Sequence, residues 1–244
     1  MKRRTVIKSG LALTAVHPFK NIWAQNADDA DDYKDIQGPF PASFRLFGTN
    51  PASGPENEKA RQILDSAPLK KDLLETARYF ANITDKNDKG YLYNAQWPNV
   101  PGGHWNPVLV GFYQATSLPK PYVYKYGDTI DWCAAFMNYC LIRGGYQHTN
   151  DAMSGSFRSL GKPVPVNDAK PGDIIVFRKP GRDGDVGHGH VAIFLEQVSG
   201  GFRVLGGNQK AGKSYSSVNE TTIIAPSKQL QFHSIRALSS LSRT

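Results

Sequence analysis

Two residue types in this chain can carry nucleophilic chemistry near neutral pH: the thiols at Cys133 and Cys140 and the six histidines. Both thiols lie in "DTIDWCAAFMNYCLIRGGY", residues 128–146. If that stretch is helical, positions seven apart share a face but stand about 10.5 Å apart along the axis, at 1.5 Å per residue. A disulfide needs Cα atoms within about 7 Å, so the two are not expected to pair with each other. Cys133 opens the apolar pattern and Cys140 sits in its middle. A thiol at a helix start meets the positive end of the dipole and unspent backbone N–H groups, which favour thiolate and can also receive an oxyanion. Cys133 is therefore the candidate nucleophile and Cys140 a packing residue. A thiol nucleophile needs a base, and imidazole titrates in the right range. His190 opens the strand-like run "GHGHVAIFLE", with Gly187 and Gly189 expected to leave room around its ring. The run "VLGGNQ" ends in two amides, either able to orient that ring. Strand alternation favours Asn208, with Gln209 as the competitor.

These residues need a helix start and two adjacent strand ends to bring them together. Apolar spacing predicts helices within 56–83, broken at Pro68. A short helix is expected over 106–116, the Cys133 helix next, and a small helix near 151–160. From 171 onward the apolar runs become strand-length and are bounded by Gly and Pro: 171–180, 189–198, 201–209, 221–226 and 230–238. Helices first and an antiparallel sheet afterwards is an α+β layout.

The four segments "DWCAAFMNYCL", "KPGDIIVF", "GHGHVAIFLE" and "VLGGNQ", in this order, resemble the bacterial CHAP-like cysteine amidases and peptidases. The resemblance runs from about residue 70 to 215. It implies a papain-like fold with the N-terminal helices packed on the sheet. It also implies Cys133 as nucleophile, His190 as base and Asn208 as third member. Around them, Asp131, Trp132, His188 and Gln209 are expected to shape the substrate groove. Papain-like enzymes take a second oxyanion donor from just before the nucleophile. Here that place holds the acids Asp128 and Asp131, which suit the role poorly.

Composition bounds the rest. A chain of 244 residues with 40% hydrophobic and 11% aromatic content can bury one good core. No apolar run is long enough to span a bilayer. The net charge of +8 is weighted toward the first 24 residues, which carry Lys2, Arg3, Arg4, Lys8 and Lys20 and no acid; beyond them stand 24 basic and 21 acidic residues. No basic tract with interleaved aromatics speaks for nucleic acid. Residues 1–24 have the basic start, weak apolar stretch and Ala24 end of a twin-arginine-type signal peptide. Residues 25–55 read as an acidic, then Pro/Gly-rich leader, and 56–244 as the hydrolase domain. Export implies a periplasmic or secreted protein that meets the export machinery and keeps no stable membrane insertion; a monomer is expected.

No cofactor or metal is expected. His188 and His190 with Asp185 lack further ligands nearby. The segment at Asp85, Asn87 and Gly90 has Lys89 and Gln96 where a calcium loop needs oxygen ligands. Asp173, in "PGD", reads as a turn residue. The resemblance implies amide-bond hydrolysis, and the exported location makes peptidoglycan the expected substrate. The competing readings are a peptidase or transamidase acting on another protein, a cell-wall binding module, and a secreted antibacterial toxin.

Overall fold

The computed structural model describes residues 50–180 and 187–243. The signal segment, most of the leader and Asp185 lie outside the described residues. Among the described residues five α-helices come first: α1 (Gly54–Ser66), α2 (Leu73–Ala81), α3 (Pro107–Phe112), α4 (Lys120–Tyr126) and α5 (Cys133–Gly144). Six strands follow: β1 (Pro163–Val164), β2 (Ile174–Arg178), β3 (Gly189–Val198), β4 (Gly201–Gln209), β5 (Ser217–Ile224) and β6 (Gln231–Arg236). They form one antiparallel sheet in the order β1-β6-β2-β3-β4-β5. This is the expected α+β architecture, consistent with a papain-like, CHAP-type fold.

Local chemistry explains the helix starts. Ser53 and Glu56 make a capping box, so α1 begins at Gly54, inside the stretch read as leader. Asp72 caps α2 and Asn106 caps α3 through their side-chain oxygens. Helix α4 and strand β1 have no counterpart in the sequence reading. The heptapeptide "KPYVYKY" buries only Val123, too little to give an apolar period.

The sheet is buried on both faces. Val176, Val191, Ile193 and Leu205 join the helices in the larger core. Ile175, Phe177, Ala192, Phe194, Phe202 and Val204 form a second core on the far face. Between helices, Phe112 is the hub, with ring centroids 5.1 Å from Phe80, 5.2 Å from Phe136 and 6.2 Å from Trp132. Helix α5 lies against β4 because Gly207 presents no side chain. A Cβ there would stand 2.5 Å from Trp132 Cζ3 and 2.9 Å from Phe136 Cβ.

A buried carboxylate fastens the approach to α5. Asp128 Oδ2 accepts from the backbone N–H of Trp97 at 3.1 Å and of Asn106 at 2.9 Å. Its backbone carbonyl accepts from the Gln96 side chain at 3.0 Å. Asp173 fixes the turn before β2, as expected, accepting from Lys170 N–H at 2.9 Å and Leu238 N–H at 2.8 Å. Asn87 closes a local turn by accepting from the N–H groups of Lys89 and Tyr91.

Burial pushes the Asp128 carboxyl up from 3.8 to about 7, against the pull of its backbone donors. The folded chain therefore holds that proton more tightly than the unfolded one. Its contribution to stability is largest below pH 4 and is lost as pH rises toward 7. In Asp128→Asn one amide oxygen can accept both N–H groups without a buried charge. The variant should match wild type near pH 4 and exceed it progressively up to pH 7, by at most roughly 4 kcal/mol at about 1.36 kcal/mol per pKa unit. Urea denaturation across pH 4–8 measures that difference. A constant or negative gap would refute the assignment.

Candidate active site

Cys133 is the first residue of α5, and it is buried. The preceding Trp132 makes no side-chain cap, so the first N–H groups of the helix are not spent on one. The thiol draws on the N–H groups of Cys133, Ala134 and Val191. Val191 follows His190 on β3, so the helix start abuts the start of that strand. There β3 and β4 fork: their ladder begins only at Ile193 and Leu205, leaving His190 and Gln209 beyond it.

His190 Nε2 lies 3.1 Å from Gln209 Oε1. The opposite end of that amide settles which ring nitrogen carries hydrogen. Gln209 Nε2 donates to the carbonyl oxygens of Gly206 at 3.2 Å and Asn219 at 2.6 Å, which can only accept. Oε1 must therefore face the ring and His190 Nε2–H must donate to it. A neutral ring then has its lone pair on Nδ1, the nitrogen that can take a proton. Asn219 completes a reciprocal clasp by donating through Nδ2 to the Gln209 carbonyl at 2.7 Å.

The amide bonded to His190 is thus that of Gln209, where alternation had favoured Asn208. The physical cause is a β-bulge. Gly206 pairs with Asn219 and Gln209 with Ser217, so β4 holds one residue more than β5 between them. Asn208 absorbs the extra residue in a left-handed conformation, φ 59°. Strict alternation puts Asn208 on the face of His190, and the bulge puts Gln209 there instead. The Asn208 amide reaches the rim and donates to Asp131 Oδ1 at 2.9 Å.

Other groove expectations change as well. Trp132 is fully buried under Gly207 and forms core, not groove. Asp131 is exposed at the lip, where its charge bears on both Cys133 and His190. His188 is exposed, and its backbone carbonyl accepts from Lys179 N–H and Arg158. Gly189 does not make room for the imidazole; a Cβ there would sit 2.0 Å from the Phe177 carbonyl oxygen, so it serves strand pairing. The clasp residue Asn219 was invisible in the sequence, where a polar residue inside a strand carries no signal.

Burial dominates the electrostatics. It pushes the Cys133 thiol up to about 11, despite help from backbone N–H groups, and lowers His190 below its usual 6.5 despite Gln209 and Asp131. Both directions favour thiol and neutral imidazole at rest, against the thiolate expected from the helix end. Cys140 is buried in the core, and burial raises its thiol well above the usual value.

Comparison with known families finds a match over part of the chain. Residues 125–208 match the CHAP domain. The match covers the C-terminal part of the stretch over which the sequence resemblance was drawn, and it contains Cys133 and His190. No curated protein and no solved structure gives a significant match. CHAP domains are typically hydrolases of the amidase and peptidase type.

The resting pair can be titrated directly. Iodoacetamide should modify Cys133 of the folded protein more slowly at pH 7 than a free thiol, with a rate that climbs above pH 9. Cys140 should stay unmodified until unfolding. Full Cys133 reactivity with an apparent pKa below the ordinary value of about 8.5 would instead require a resting ion pair.

Proposed function

We propose that this chain is an exported cysteine hydrolase that cuts amide bonds in peptidoglycan. Cys133 is the nucleophile, His190 the base and Gln209 the orienter. The observation that carries this reading is the fixed tautomer of His190, basic at Nδ1, on the strand whose Val191 N–H meets a thiol at an uncapped helix start. The CHAP match supports the bond type, and the Arg3-Arg4 leader supports a periplasmic address.

On this reading the chemistry runs as follows. His190 Nδ1 takes the Cys133 proton, and sulfur attacks the amide carbonyl carbon. The developing oxyanion is received by the backbone N–H of Cys133, in a dry site where such donors are most effective. His190⁺ gives its proton to the leaving nitrogen and the C–N bond breaks, leaving a thioester. Water then loses a proton to His190 and attacks the thioester. The carboxylic product departs as the thiol is restored. Lowering of His190 by burial keeps the base neutral to below pH 6.5, so the acid limb of kcat/KM falls below that value.

Cys133→Ser and His190→Ala should each abolish release of cleaved products from purified sacculi, by on the order of 10³-fold or more, with the fold intact by circular dichroism. The double variant should be no worse than the weaker single one. Muropeptide mass spectrometry reads both the loss and the bond. A wild type that binds sacculi but releases nothing would favour a binding module.

Gln209 and Asn208 separate the orienter. Gln209→Ala should cost about 10²-fold in kcat, the scale of a mispositioned base. Asn208→Ala should stay near wild type. The reverse order would restore Asn208.

A further inference from the structure

Asp131 is a charge to which the proposed reaction gives no part. It is exposed and stands two residues before Cys133, ahead of the first turn of α5. Its Oδ1 accepts from Asn208 Nδ2 at 2.9 Å, and Asn208 precedes Gln209, whose Oε1 lies 3.1 Å from His190 Nε2. One carboxylate thus reaches from the segment that leads into the sulfur to the strand end that holds the ring. Among the described residues its other oxygen, Oδ2, has no hydrogen-bond partner, and no lysine or arginine forms an ion pair with it.

A negative charge at this place works against the nucleophile. Burial chiefly raises the Cys133 thiol, and the Asp131 charge adds to it. Burial lowers His190, and Gln209 and then Asp131 pull it partly back, so the carboxylate helps the base while it hinders the sulfur. It also opposes the oxyanion that the Cys133 N–H receives, because an ionised carboxylate can only accept. The conflict is removed when the substrate brings its own cation to the lip. A primary ammonium has three donors; one suits Oδ2, and the others stay in water at this exposed edge.

We propose that Asp131 is a specificity-determining residue of the Cys133 centre, binding a primary ammonium group of the substrate next to the amide that is cut. This substrate role rests on the reading of Cys133 as nucleophile; attraction of an ammonium to the mouth of Cys133 does not. In a peptide such a group is either a free amino terminus or the side chain of a diamino acid.

Thiosulfonate labelling reads the charge without any hydrolysis. The full chain at low ionic strength is treated with 2-aminoethyl methanethiosulfonate, an ammonium, and with its anionic 2-sulfonatoethyl counterpart, and mass spectrometry locates the label on Cys133. The ratio of cationic to anionic rate should fall in Asp131→Asn by on the order of tenfold, since one reagent is attracted and the other repelled. The substitution keeps an oxygen for Asn208, and a change in the thiol itself touches both reagents alike, so the ratio reports the charge. An unchanged ratio overturns the site. Alanine amide carries only an α-ammonium and Nα-acetyl-lysine amide only a side-chain ammonium. The one that fits should slow labelling of wild type by the 2-aminoethyl reagent and have no effect on Asp131→Asn. Protection by neither overturns the proposal. Sacculi acetylated at their free amines should be hydrolysed about fivefold more slowly by wild type, the scale of one exposed ion pair, and no more slowly by Asp131→Asn. An active wild type indifferent to acetylation overturns the substrate role. A wild type that hydrolyses nothing but keeps the labelling ratio and the protection overturns the hydrolase reading and leaves the ammonium site standing.

Discussion

Everything at the site depends on how closely α5 can lie on β4. Gly207 is the floor of that contact. Trp132 and Phe136 occupy the volume a side chain would fill, and this sinks the first turn of α5 against the start of β3. A methyl group at this place would push the helix outward or rotate Trp132, and overpacking of this kind typically costs about 1–3 kcal/mol. The chemical cost would be larger. Cys133 would lose its station at the Val191 N–H, and the helix terminus would no longer point its free donors into the fork between β3 and β4.

Within that fork the protein holds its groups neutral. The orienter is an amide, which directs a dipole at His190, where a carboxylate would direct a charge. An imidazolium is thus stabilised less at rest, and the buried thiol has little reason to ionise. Asp131, exposed and tied to Asn208, brings a charge to the lip. Separation of charge is thereby deferred to the moment when a substrate carbonyl is present to accept the electron pair.

Much of this was legible in the sequence. The change from helical to alternating spacing near residue 171 gave the α+β order, and the position of Cys133 at the head of an apolar run gave the helix start. His190 at the start of β3 followed from the glycine-bounded run. The amide that bonds His190 was not legible, because alternation counts residues, and a bulge with Asn208 in a left-handed conformation adds one to the count without any mark in the local composition. Trp132 was misread because an aromatic beside a nucleophile suits a groove as well as a core. Only the absent side chain at Gly207, across the sheet, decides between them. Asn219 matters through Gln209 on the neighbouring strand, and pattern alone does not reach that far.

The short segment 94–97 acquires a meaning from its two attachments. On one side it holds the approach to α5, through Gln96 and Trp97 on Asp128. On the other it extends the outer strand β5, with Gln96 N–H on the Ser216 carbonyl at 2.8 Å and Val218 N–H on the Asn94 carbonyl at 2.9 Å. β5 carries Asn219, which holds Gln209, which holds His190. One strap therefore anchors both the helix that bears the sulfur and the strand that sets the ring. A shift of the helix against the sheet must therefore stretch or break the bonds of this strap, which ties the two layers together next to the residues they carry.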